Sequence, residues 1–139
     1  MARAVITLPE QFLFSTEITL RITDINYGGH LGNDAMLSLI QEARLQFLKN
    51  YGFAENNVDG YGIIMADAVI IYKSQAYYGD TLRFEISVDD IGKRACDLIY
   101  KISETRSGKE IARAKTRIAF FDYQQNKTVV IPDIFLKNF

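Results

Sequence analysis

The stretch that decides the fold is TDINYGGHLGNDAMLSLIQEARLQFL, residues 23–48. Its first half carries Gly28, Gly29 and Gly32 in a run that ends at Asn33 and Asp34. That pattern reads as a loop opening a helix, with Asn33 as N-cap and Asp34 as a favourable first-turn acid. From residue 34 to about residue 50 the apolar spacing is helical. At 100° per residue Met36, Leu37, Leu39, Ile40, Ala43, Phe47 and Leu48 cover one half of the circumference. Asp34, Ser38, Gln41, Glu42, Arg44, Gln46 and Lys49 take the other half, Leu45 is the one misfit, and Gly52 is the stop.

On both sides of this unit the period changes to two. Upstream, Ile18, Leu20 and Ile22 alternate with Thr19, Arg21 and Thr23, so a half-buried strand is expected over residues 16–25. Downstream, Gly62 to Tyr72 is an apolar run interrupted only by Asp67. Leu82, Phe84, Ile86 and Val88 alternate, as do Leu98, Tyr100 and Ile102. Ala112, Ala114, Thr116, Ile118 and Phe120 share a face opposite Arg113, Lys115 and Arg117. Ser107-Gly108 and Gln124-Gln125-Asn126 mark turns, a last strand is expected over Val129 to Ile131, and a short helix after Pro132. One long helix among antiparallel strands predicts an α+β fold, a sheet curved about a central helix.

Composition bounds the function. At 139 residues the chain is expected to form one domain, 1–139. Sixteen basic against seventeen acidic residues leave no surplus for a nucleic-acid partner. No apolar run approaches the ~18 residues of a membrane span, and the N-terminus meets Pro9 and Glu10 too early for a signal peptide. A soluble cytoplasmic location is therefore expected. The single Cys96 and single His30 exclude an internal disulfide and metal centres rich in Cys or His. No metal is expected.

Residues 23–48 resemble the signature of hotdog-fold thioesterases of the 4-hydroxybenzoyl-CoA and YbgC-like type, D-x-D-x-x-G-H-V-N-N, then a tyrosine, then E-A-R. Asp24 matches the first acid, Gly29-His30 the GH pair, Leu31 the valine, Asn33 the second asparagine, and Glu42-Ala43-Arg44 the helical E-A-R. Tyr72, Gly79, Asp80 and Leu82 match the Y-x-x-P-x-x-x-G-D-x-L segment, so the resemblance spans roughly residues 15 to 122. It implies the hotdog fold and hydrolysis of an acyl- or aryl-CoA thioester, with coenzyme A part of the substrate and no separate cofactor. The departures are specific. Asn26 stands at the usual catalytic aspartate, Gly32 at the first asparagine, Met36 at the tyrosine and Gln75 at the proline. Asp24-Ile25-Asn26 is nonetheless similar to the D-x-N that precedes a histidine in plant acyl-carrier thioesterases, which share the fold.

Thioester hydrolysis needs a carboxylate nucleophile or an activated water, and donors for the developing oxyanion. The N–H groups of a helix start are such donors, and Gly28, Gly29 and Gly32 let a substrate approach the backbone. Substrate contacts are expected from these glycines, Leu31, Asn33 and Ser38. The catalytic candidates are Asp34, Asp24, Asn26, His30 and Glu42. Asn26 cannot take a proton at neutral pH and is expected to orient. Asp34 is favoured as base or water-positioner, ahead of Asp24 and Glu42. Ser38 and Glu42, four and eight residues beyond Asp34, are expected to border the same pocket.

Plainer readings exist for each. Asp24 and Asn26 are ordinary turn residues, Asn33-Asp34 an ordinary cap, and Glu42 a surface acid or a partner of Arg44 or Gln46 across the helix surface. His30 is at home in a local hydrogen bond, and Cys96 as a small buried residue. Three other functions share the fold: a MaoC-like hydratase or dehydratase, whose D-x-N-P-x-H resembles residues 24–30 without the proline, an acyl-carrier-protein thioesterase, and a non-catalytic acyl-CoA binder. A small sheet with unpaired edges predicts a homodimer, with a tetramer open. Coenzyme A is expected to meet surface cations, and Lys73, Lys93, Arg94 and Arg113 are candidates that no spacing singles out.

Overall fold

A computed structural model describes residues 3–139. Strands β1 (Phe14–Thr19), β2 (Gly62–Tyr72), β3 (Thr81–Asp89), β4 (Ala95–Glu104), β5 (Glu110–Asp122) and β6 (Lys127–Thr128) accompany helices α1 (Asn33–Asn50) and α2 (Asp133–Leu136). The strands form one antiparallel sheet in the order β1-β3-β4-β5-β2, with β6 on the far end of β5. The sheet curves around α1, which is the α+β arrangement expected. On β5 the alternating residues Ala112, Ala114, Thr116, Ile118 and Phe120 are buried, while Arg113, Lys115 and Arg117 on the outer face are half-buried. The same face of β4 buries Leu98, Tyr100 and Ile102 against Met36, Ile40, Ala43 and Phe47 of α1 in one core cluster.

β4 is buried on both faces. The N-terminal arm is the reason: Thr7, Leu8 and Pro9 border one groove with the outer-face residues Ser87 and Ile99, and Arg113 Nη1 donates to the carbonyl of Ile6 at 3.0 Å. Elsewhere α1 packs against β1 and β3, and the inner side of β2, buried at Ile63, is left open in its middle. Met65 and Ala68, which pair with the inward-facing Ile118 and Thr116, are consequently exposed.

The expected first strand is cut short. Leu20 is buried, but β1 ends at Thr19 and a turn of 3-10 helix takes Ile22–Asp24, leaving Ile22 70% exposed. The cause is Asp24, whose carboxylate accepts the Arg21 N–H at 2.8 Å and folds the chain back. The helix N-cap is Gly32, not Asn33. Its carbonyl accepts the Met36 N–H at 3.0 Å, and a β-carbon there would lie 2.6 Å from Asp34 Oδ1. The last strand covers Lys127–Thr128, not Val129 to Ile131.

Arg44 also departs from expectation: it lies in the core at 5% exposure, whereas Leu37 and Leu45 are exposed. Its guanidinium donates to Glu55 Oε1 at 3.1 Å and to the Tyr100 hydroxyl at 3.4 Å, and that hydroxyl lies 2.7 Å from Thr116 Oγ1. A buried charge is tolerated when its hydrogen bonds are met in this way. Among the described residues no buried side-chain nitrogen or oxygen is left without a partner.

Candidate active site

The glycine-rich loop is held from three directions. Within it, Asn26 Oδ1 accepts the Gly28 N–H at 2.9 Å, and the Asn26 N–H donates to the carbonyl of His30 at 2.9 Å. Gly29 sits at φ +85°, a conformation that side chains disfavour. On one flank the Gly32 N–H donates to the carbonyl of Asp24 at 3.0 Å; on the other the Leu31 N–H donates to Ala76 at 2.8 Å. Asp24 is thereby a brace. It is 5% exposed, and its side chain also receives the Arg21 guanidinium at 3.4 Å.

A cleft of about 480 Å³ opens between this loop, the start of α1 and the segment that follows β2. Asn26, His30 and Asn33 form one polar wall, and Lys73, Ser74 and Gln75 the other. Leu31, Met36, Ala76 and Ile111 supply the apolar floor. Asn26 spends its carbonyl oxygen on Gly28, so its amide nitrogen remains to donate. Met36 bonds back to Gly32, while the N–H groups of Asn33 and Ala35 have no backbone acceptor among the described residues. Those are the donors that a helix start offers to an anion. Asp34 is exposed, and its carboxylate folds over Gly32.

Tyr72, matched to the Y-x-x-P segment but not counted among the expected site residues, belongs to the site. It ends β2 on the inner face, lines the cleft, and its hydroxyl donates to the carbonyl of Asn33 at 3.4 Å. Burial, with the Asp34 charge second, raises its phenol above the ordinary value, so it stays a donor. Its match to the tyrosine of the Y-x-x-P segment was the signal available.

Ser38 and Glu42 are not brought to this cleft. They border a separate groove between α1 and β1, with Glu17 and Arg21. There Glu42 Oε2 accepts Gln46 Nε2 at 2.9 Å, and Gln46 Oε1 accepts the Thr16 hydroxyl. Cys96 is wholly buried, and burial pushes its thiol up to about 12. Among the described residues no three His, Cys, Asp or Glu side chains gather around a metal position. No helix among them is long and apolar enough to cross a membrane.

The sequence profile of the thioesterase-like superfamily matches residues 20–139. Among solved structures, a 1,4-dihydroxy-2-naphthoyl-CoA thioesterase from Synechocystis superposes with a TM-score of 0.82 at 20% identity, over 90% of this chain and 93% of that one. The DHNA-CoA thioesterase of Staphylococcus aureus gives 0.78 at 18% identity, over 88% and 83%. A hypothetical protein from the same organism, in complex with CoA, gives 0.82 at 13% identity, over 96% and 85%. The fold is the hotdog fold of these thioesterases. Among curated proteins none matches the chain by sequence.

Proposed function

The chain belongs to the thioesterase-like superfamily, and from that premise we propose that it hydrolyses an acyl- or aryl-CoA thioester to free acid and coenzyme A. The observation that carries this reading is the joining of an apolar-floored cleft to an open helix start at Asn33. The acyl group lies on Leu31, Met36 and Ile111. The thioester oxygen meets the amide of Asn26 and the free N–H groups of the first helical turn, which stabilise the oxyanion. Asp34 accepts a proton from water as the water attacks the carbonyl carbon. The C–S bond then breaks, and the proton passes to the leaving thiolate. His30 orients the water or the thioester, and Asp24 holds the loop in register. The solved relatives support a coenzyme A thioester as substrate: two act on dihydroxynaphthoyl-CoA and one was solved with CoA.

The same reading includes a homodimer. The inner side of β2 is uncovered at Met65 and Ala68, and β2 is a sheet edge of eleven residues whose outward backbone groups beyond Ile63 have no backbone partner among the described residues. A second copy would cover that edge beside Tyr72, so activity is expected to need the dimer.

A thiol-release screen over CoA thioesters of graded acyl length and aryl substituents tests the activity. Release of thiol with a preference among acyl groups supports it. Turnover of an enoyl-CoA without thiol release would make the protein a hydratase, and a melting shift with acyl-CoA but no turnover would make it a binder.

A further inference from the structure

Three carboxamides line the cleft, those of Asn26, Asn33 and Gln75. Each has its oxygen turned to a donor of its own segment. Asn26 Oδ1 accepts the Gly28 N–H at 2.9 Å, Asn33 Oδ1 the Asp34 N–H at 3.1 Å, and Gln75 Oε1 the Tyr77 hydroxyl at 3.0 Å. An amide held in this way has its two N–H bonds left to offer. None of the three nitrogens has an acceptor among the described residues.

The three do not stand together. Asn26 and Asn33 belong to the glycine-rich loop and the helix start, whereas Gln75 belongs to the segment after β2, on the opposite wall. The Asn26 N–H donates to the His30 carbonyl at 2.9 Å, and the Leu31 N–H to the Ala76 carbonyl at 2.8 Å. Residues 30–31 therefore run between the two walls, and two such chain-to-chain steps set the backbones of Asn26 and Gln75 roughly 10 Å apart. Side chains reaching in from both sides leave a gap of a few bonds between their amides. A thioester carbonyl has one oxygen with two lone pairs, which Asn26 and the N–H groups of the first turn satisfy. Gln75 is then a donor beyond what a plain alkanoyl group uses. Lys73, on the same wall, is not counted here, because its charge already acts on the Glu110 carboxyl. Gln75 also stands where the resembling Y-x-x-P segment has proline, which has no donor at all.

We propose that Gln75 is a specificity residue: its amide, fixed by Tyr77, donates to an oxygen on carbon 3 of the acyl group, counted from the thioester carbon. The inference rests on the thioesterase reading and narrows its substrate to 3-oxoacyl or 3-hydroxyacyl thioesters. Both present an acceptor at the same carbon, and carbon 3 is within the few bonds that separate the two walls. A site that hydrogen-bonds a substrate oxygen discriminates against the analogue lacking it, because its own polar group is then left without a partner.

The test compares the butanoyl, 3-oxobutanoyl, 3-hydroxybutanoyl and 4-oxopentanoyl thioesters of coenzyme A. Wild-type kcat/KM should be about tenfold higher for a 3-substituted thioester than for butanoyl-CoA, the effect of one neutral hydrogen bond. A preference for the oxo or for the hydroxy compound alone retains the subsite and identifies its acceptor. The 4-oxo thioester, with its oxygen one carbon further out, should gain nothing. Gln75→Leu keeps the bulk and removes the donor, and should abolish the preference in a protein that melts as the wild type does. Tyr77→Phe frees the amide to turn over and should reduce the preference without abolishing it. No preference in the wild type, an equal preference for the 4-oxo thioester, or a preference that survives Gln75→Leu overturns the subsite and leaves the hydrolase standing. If no thioester is cleaved, the hydrolase reading falls, and calorimetric titration with butanoyl-CoA and 3-oxobutanoyl-CoA decides the subsite. Tighter binding of the 3-oxo thioester that Gln75→Leu removes retains it, and equal binding of the two overturns it.

Discussion

The carboxylate of Asp24 accepts the backbone N–H of Arg21 at 2.8 Å, and this bond ends the first strand. The acid is therefore occupied by its own loop and lies buried beneath the candidate site rather than lining it. Asp24→Asn keeps an acceptor for that N–H and loses the charge. Stability is expected to fall by about 1 kcal/mol, with thiol release within roughly tenfold of wild type. Thermal melts and turnover measured on the same sample check both halves.

Asp34 is the contrasting case. It is exposed at the helix start, so Asp34→Asn should leave the melting temperature within a degree or two. Loss of a general base costs on the order of 10²–10⁴ in rate, and kcat should fall by that much. Glu42→Gln, in the separate groove beside β1, should change neither. Near-normal turnover in Asp34→Asn together with inactivity in a folded Asp24→Asn would transfer the base to Asp24. If all three variants stay active, the base is His30, and His30→Ala should then abolish thiol release without lowering the melting temperature.

The Arg44–Glu55 pair predicts a stability asymmetry. Glu55→Ala leaves a guanidinium at 5% exposure with only the long Tyr100 contact. Removing one member of a buried pair costs roughly 3–5 kcal/mol, and because Glu55 is itself partly exposed the loss should lie near the lower end, about 3 kcal/mol. Arg44→Leu combined with Glu55→Ala should recover much of it. Urea denaturation of the two single variants and the double variant measures the coupling.

Cys96 predicts behaviour in alkali. Its thiol has an ordinary value of 9.0 and is pushed up to about 12 by burial. The folded state thus holds a proton that the unfolded chain releases. The stabilisation is fully present below pH 9 and is lost as pH rises toward 12. Cys96→Ala should flatten that decline, apart from a cavity cost. Native protein should also give no signal with a thiol-reactive dye until it is unfolded, so a thiol-release assay has no background from the enzyme.

The open inner side of β2 predicts the assembly. Ala68→Lys places an ammonium on the surface that a second copy would cover. It should yield a folded monomer with little activity, read by sedimentation alongside turnover. A stable, fully active monomer of the wild-type chain would rule out the shared site.

What the sequence disclosed and what it withheld have physical causes. The alternation of Ala112 to Phe120 and the helical spacing of Met36 to Leu48 are local patterns, and both elements form where these patterns run. The burial of Arg44 depends on Glu55 and Tyr100, and no helical projection contains them. The separation of Ser38 and Glu42 from Asn26 and His30 depends on how α1 is rotated against β1, which spacing along one stripe leaves open. Tyr72 meets Asn33 only because β2 returns its end to the helix start.

The strand order also sets a sequence of events. β3, β4 and β5 follow one another along the chain and pair as neighbours, so their hairpins close short loops. β1 and β2 lie on either side of α1 in the chain yet pair at opposite margins of the sheet, Phe14 with Ile86 and Gly62 with Phe121. These distant pairings carry the larger closure entropy, which makes them the slow steps of folding. The cleft lies between the start of α1 and the end of β2 and exists only once the second margin has zipped. In the native state it belongs to the part of the molecule that opens with the least free energy, so its amide protons should exchange before those of β4.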